Sequence, residues 1–173
     1  MNDPSFEQMR VLLIEDDDHT RLLLRSVLQT LKIRDVIECA NGESAFAALQ
    51  EKDNNVDFVL TDLSMKPVDG IEFTKMVRTS KESPNPYVPI IMITGHTERA
   101  RVEAARDAGV TEFLAKPITV QALRLRICEI VERPRSFVRS NAFFGPDRRR
   151  KRDADFTGPW RREDDTAEDV DFR

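Results

Sequence analysis

Four points along the 173-residue chain carry side chains suited to phosphate chemistry: the acidic run Glu15-Asp16-Asp17-Asp18, then Asp62, Thr94 and the Lys116-Pro117 pair. Each follows a short apolar stretch. In a parallel sheet, such strand ends open onto one edge, where ligands bind. Carboxylates gathered there repel one another, and they stay ionised together only with a cation among them. An all-oxygen donor set points to Mg²⁺, which keeps several waters and leaves places for phosphate oxygens. A carboxylate beside such an ion, a hydroxyl and an ammonium group suits phosphoryl transfer, in which positioning and charge neutralisation dominate. Asp62 is the candidate nucleophile and would form an acyl phosphate, with Thr94 and Lys116 holding the phosphoryl oxygens.

Alternating elements must position these groups. Short β-type runs over 10–15, 35–40, 57–61, 90–94 and 112–115 predict five strands, each apolar on both faces. Between them Leu22, Leu23, Val27, Leu28 and Leu31 recur at helical spacing, as do Ala45, Ala48 and Leu49, then Phe73, Met76 and Val77. An alanine-rich helix over 100–108 is expected after a Thr97 cap, ending at Gly109, and a last helix over 120–131. Asp17 or Asp18 is expected to cap the first helix. Pro84, Pro86 and Pro89 exclude regular helix between 83 and 89 and predict a surface loop. The pattern is that of βαβ units feeding an α/β parallel sheet.

Composition narrows the classes. A chain of this length holds one ordinary domain and a few dozen further residues. With 40% apolar and 34% charged residues, wholesale disorder is excluded. No apolar run approaches the roughly 20 residues a bilayer crossing needs, so a cytoplasmic protein without membrane insertion is expected. The net charge of −4 argues against nucleic-acid binding over the whole surface. Cys39 and Cys128 are read as reduced core fillers, and His19 and His96, with no ligand-spaced partner, as ordinary loop histidines.

Past Arg133 aliphatic residues thin out, and residues 134–173 are expected to form a flexible, charged tail. Their ten cations and nine acids are segregated into a basic block at 148–152 and an acidic run over 163–171. Within this tail Phe143-Phe144-Gly145-Pro146-Asp147-Arg148-Arg149 recurs as Phe156-Thr157-Gly158-Pro159-Trp160-Arg161-Arg162, a Phe-x-Gly-Pro-x-Arg-Arg repeat displaced by 13 residues. An aromatic anchor, a forced bend and paired arginines give each copy the makings of a docking motif.

Glu15-Asp16, Asp62-Leu63-Ser64-Met65, Asp69-Gly70, Thr94-Gly95 and Lys116-Pro117 together resemble the bacterial response-regulator receiver domain, over residues 9–133. The spacing, eight residues from Asp62 to Gly70 and 22 from Thr94 to Lys116, fits that family. Residues 1–8 then form a leader. The resemblance implies a flavodoxin-like, doubly wound sheet of order 2-1-3-4-5 with five helices. It implies Asp62 as phosphoacceptor, Glu15 and Asp16 as the acidic pair at Mg²⁺, and the Ser64 backbone carbonyl as a further ligand. Thr94 becomes the phosphate-responsive hydroxyl and Phe113 the aromatic switch, while Lys116-Pro117 is expected to be cis. Departures are Glu15, where Asp is commoner, and Lys66-Pro67, where the chemotaxis-type receiver has proline at the first position.

The expected function is that of a response regulator in a two-component phosphorelay, not an enzyme with a turned-over substrate. It would take a phosphoryl group from a histidine kinase or histidine phosphotransfer protein, then signal by contact with a downstream protein through the face from 97 to 131. The residues after Arg133 are too few for a recognisable DNA-binding output domain, and either a monomer or a phosphorylation-dependent dimer is compatible. The alternative is a Mg²⁺-dependent aspartyl-phosphate phosphohydrolase. Enzymes of the haloacid-dehalogenase type place an acid/base aspartate two residues after the nucleophile, where this chain has Ser64.

Overall fold

The most apolar runs form the middle of a five-stranded sheet. The computed structural model describes residues 6–95 and 99–147 and the backbone of 166–168. Its strands are β1 (Arg10–Ile14), β2 (Asp35–Cys39), β3 (Phe58–Asp62), β4 (Ile90–Thr94) and β5 (Glu112–Ala115). They are all parallel, in the order β2-β1-β3-β4-β5. Strands β3 and β4 are buried at every position, as expected of a parallel sheet covered on both faces, whereas β2 at the edge exposes Asp35 and Glu38.

Helices α1 (Asp18–Thr30), α2 (Gly42–Gln50), α3 (Gly70–Thr79), α4 (Arg99–Ala108) and α5 (Val120–Glu132) cover the sheet. Side-chain alternation divides the core. Val11, Leu13, Leu60, Ile91 and Ile93 pack with α1 and α5, while Leu12, Ile14, Val59 and Ile90 pack with α2 and α3. A third cluster joins Leu63, Ile71 and Met92 to Ala105 and Ala108 of α4. Local signals start the helices: Asp17 caps α1, Asn41 caps α2, Asp69 and Glu72 form a capping box on α3, and Thr119 caps α5. Thr97 lies outside the described residues. None of the described helices is long and apolar enough to cross a membrane.

The expected phase of α1 is corrected. Leu24, not Leu22 or Leu23, joins Val27 and Leu28 in the core, leaving Leu22 63% and Leu23 55% exposed. The run Leu22-Leu23-Leu24 offers three apolar phases, and only Leu24 lies three and four residues from the buried pair. The leader is corrected too, since Phe6 is buried in the α1/α5 core.

The expectation of an unstructured tail from residue 134 fails for its first part. Strands β6 (Phe137–Ser140) and β7 (Phe143–Pro146) pair antiparallel as a hairpin, and β8 (Thr166–Glu168) pairs with the other edge of β6. Aromatic packing replaces the missing aliphatics. Tyr87, Phe137 and Phe144 form a triad with ring centroids 5.1 to 5.5 Å apart. The Arg78 guanidinium, 5.1 Å from the Phe137 ring, donates to the carbonyls of Gly109, Pro86 and Val88. Gly145 sits so close that a Cβ there would lie 2.9 Å from Gly109 Cα. The first Phe-x-Gly-Pro copy is thus part of the packed structure. The second copy and the basic block lie outside the described residues.

Candidate functional site

Strand order reverses between β1 and β3, so the loops after these strands part and leave a crevice at the carboxyl edge of the sheet. Glu15 follows β1, Asp62 ends β3, Thr94 ends β4, and Lys116 follows β5. Asp62 is 5% exposed and Glu15 2%. Lys116 Nζ lies 2.8 Å from Asp62 Oδ1, and the Ser64 amide donates to Asp62 Oδ2 at 2.8 Å. The Lys116 amide donates to the Thr94 carbonyl, and the Lys116–Pro117 peptide is cis, as is Lys66–Pro67. Thr94 is buried at its strand end, and Phe113 packs half-buried against the cluster of Leu63, Ile71, Met92 and Ala105.

Glycine fixes the approach of α3. A Cβ at Gly70 would lie 2.3 Å from the Asp62 carbonyl oxygen, so only glycine lets the helix start beside the strand that carries Asp62.

Glu15 records the crowding of charge. Burial, and the nearby negative charges of Asp62 and Asp16, push its carboxyl up to about 7, against the lowering effect of the Asp17 amide and of Lys116. Its Oε1 accepts from the Asp17 amide, but Oε2 is buried without a hydrogen-bond partner. Asp16 is exposed at the rim, Asp17 caps α1, and Asp18 pairs with Arg21, which also donates to the Glu15 carbonyl.

The sequence called for a cation among the carboxylates, and the cation that meets Asp62 is the Lys116 ammonium. Among the described residues no three His, Cys, Asp or Glu side chains close into a ready-made metal cluster. A hard divalent ion nevertheless fits the donors present, all oxygen, with Glu15 Oε2 a buried anionic atom lacking a partner. His19 is exposed in the first turn of α1, His96 lies outside the described residues, and Cys39 and Cys128 are half-buried thiols.

One neighbour gave no sequence signal. Arg101 of α4 donates to Ser64 Oγ at 2.6 Å and to Asp69 Oδ2 at 2.7 Å. It stands 37 residues from Ser64, in a helix whose amphipathic pattern reads as ordinary solvated surface.

Comparison with known proteins agrees with this architecture. The family model described as response regulator receiver domain matches residues 11–128. The chain is 30% identical to chemotaxis protein CheY-3 of Vibrio cholerae over 127 residues, covering 73% of this chain and 95% of that protein. It is likewise 30% identical to chemotaxis protein CheY of Pseudomonas aeruginosa, over 72% of this chain and 98% of that one. Among solved structures, the receiver domain of a Pseudomonas aeruginosa sensor histidine kinase, with a magnesium ion coordinated in its active-site cleft, superposes with a TM-score of 0.60. It is 27% identical, over 70% of this chain and 94% of that one. Vibrio cholerae chemotaxis protein CheY4 superposes with a TM-score of 0.62 at 26% identity, over 71% and 98%.

Proposed function

The chain belongs to the response regulator receiver family of two-component signalling, and on that premise we propose that Asp62 accepts the phosphoryl group. The observation that carries this reading is the 2.8 Å pairing of a buried Asp62 with Lys116, at the sheet edge where the acidic loop also ends. The donor is a phosphohistidine on a histidine kinase or phosphotransfer protein, met in the cytoplasm. An Asp62 carboxylate oxygen attacks phosphorus in line as the phosphorus–nitrogen bond to the histidine breaks, giving an acyl phosphate.

The chain's own groups do most of this work. Lys116 neutralises Asp62 and then the phosphoryl oxygens, and the Ser64 amide holds the acceptor oxygen in position. Glu15, Asp16, Asp62 and the Ser64 carbonyl would hold Mg²⁺. When bound, the ion would supply charge neutralisation for the anionic groups of the reaction. Thr94 and Phe113 respond to the new phosphate, and the surface from α4 through β5 to α5 changes its affinity for a downstream protein as a population shift.

The phosphohydrolase alternative is disfavoured by Ser64, which offers no carboxylate to act as acid/base two residues after Asp62. Incubation with labelled acetyl phosphate and Mg²⁺ tests the reading. Stoichiometric labelling of the wild type that is lost in Asp62→Asn supports it. Labelling unchanged in that variant, or steady turnover of p-nitrophenyl phosphate, contradicts it.

A further inference from the structure

We propose that Arg21 is a positioning residue that aims the Glu15–Asp16 pair at the divalent cation, an inference that rests on the reading of those two acids as Mg²⁺ ligands. Arg21 stands near the start of α1 with its side chain 20% exposed. Its guanidinium touches three elements. Nη1 donates to the Glu15 main-chain carbonyl at 2.8 Å, Nη2 pairs with Asp18 Oδ1, and Nε lies 3.6 Å from Glu38 Oε2 on β2. A planar fork holds partners in fixed directions, which a lysine ammonium on its flexible stem cannot reproduce.

The contact to Glu15 matters because it falls on the main chain. The Glu15 carbonyl and the Asp16 amide share one rigid peptide plane, and the two carboxylate side chains leave from the Cα atoms that this plane joins. A bond to that carbonyl therefore fixes the base from which both acids point. The flanking groups are tied by other means. The Glu15 amide donates to the Cys39 carbonyl, the Asp17 amide to Glu15 Oε1, and the Thr20 amide to Asp17 Oδ1. Arg21 holds the peptide between the two acids, and its anchor on β2 is held in turn. Glu38 also pairs with Arg25, one helical turn beyond Arg21, at 2.5 Å.

Charge and geometry give opposite signs for this residue. A cation beside a divalent-ion site repels the ion, so on charge alone the loss of Arg21 would tighten Mg²⁺ binding. Asp18 and Glu38 face the guanidinium and offset much of that repulsion. Loss of a partner that orients a metal-binding group ordinarily weakens the metal by about ten- to hundredfold. Geometry is expected to prevail, so that Arg21 raises the affinity for an ion of its own sign.

The test titrates MgCl₂ into the ¹⁵N-labelled full chain at pH 8 and follows the amide resonances of residues 15–18. Wild type is expected to saturate. Arg21→Met should raise the dissociation constant about tenfold, and Arg21→Lys, which restores the charge without the fork, should stay at least about threefold weaker than wild type. An arginine with a structural role alone would lower the melting temperature in chelator and leave the dissociation constant of the folded chain unchanged. A dissociation constant less than about threefold above wild type in either variant, a tighter one included, overturns the positioning role while leaving the Mg²⁺ ligands as assigned. Should Arg21→Met not fold, Arg21→Lys decides on the same threshold. A wild type whose resonances at 15–18 do not respond to MgCl₂ overturns the ligand assignment and the inference with it.

Discussion

Asp62 and Lys116 form a 2.8 Å ion pair in which the carboxylate is 7% exposed and the ammonium-bearing side chain 43% exposed. The two residues are unequal partners, because removing the lysine leaves a buried charge whereas removing the aspartate leaves a cation that can reach water. Lys116→Met is expected to destabilise the metal-free protein by about 2 kcal/mol, a value discounted from that of a fully buried pair because the lysine is half-solvated. Asp62→Asn made in that background should recover part of the loss. Urea denaturation of the two single variants and the double checks this, and a Lys116→Met loss unaffected by Asp62→Asn would contradict the pairing.

Glu15 links stability to pH. Its carboxyl sits at about 7 when folded against 4.5 ordinarily, so between these values the folded chain holds more protons than the unfolded one. Its contribution is present in full below about 4.5 and is lost as pH rises through about 7. In chelator, stability is expected to fall by about 2 to 3 kcal/mol across that window from this group, and Glu15→Gln should flatten the fall. Denaturation midpoints measured at several pH values decide it, and a parallel fall in the variant would refute the assignment.

Magnesium should reverse the penalty. At pH 8 the ion meets an ionised Glu15 whose Oε2 lacks a partner, so added MgCl₂ is expected to raise the melting temperature of the wild type in a saturable way. The Glu15→Gln, Asp16→Asn double variant should respond much less. Equal shifts in both proteins would place the ion elsewhere.

Phe137 tests whether the hairpin is part of the domain. The residue is 2% exposed, stacks near Arg78 and Tyr87, and lies in a segment whose composition reads as a tail. Phe137→Ala is expected to cost about 3 kcal/mol, through lost apolar burial and a cavity over a buried guanidinium. Chemical denaturation checks it, and a change below about 0.5 kcal/mol, usual for exposed positions, would mean that the hairpin is not docked in solution.

What could be read without coordinates follows from how each contact is encoded. Asp62, Glu15, Thr94 and Lys116 are legible because each ends a period-two or fully apolar run, and a parallel sheet brings such ends to one edge. Phe6 and the hairpin are not legible, since isolated aromatics carry no periodicity and their partners, Tyr87 and Arg78 among them, are remote in sequence. The phase of α1 was ambiguous because three consecutive leucines satisfy more than one stripe. Arg101 leaves no trace, because a long side chain crossing between elements depends on tertiary distance alone. The capping box at Asp69 and Glu72 sets the start of α3 locally, yet only the fold shows that Asp69 also receives Arg101.

The most direct measurement locates the phosphoryl group chemically. The wild-type chain is phosphorylated with acetyl phosphate and Mg²⁺, reduced with borohydride, digested and sequenced by mass spectrometry. An acyl phosphate on the acceptor is reduced to homoserine, so the account predicts homoserine at position 62 and unmodified aspartate or glutamate at positions 15 and 16. Homoserine at another aspartate, the longer 5-hydroxynorvaline at a glutamate, or a phosphate that survives reduction on a histidine or hydroxyl side chain, would contradict it.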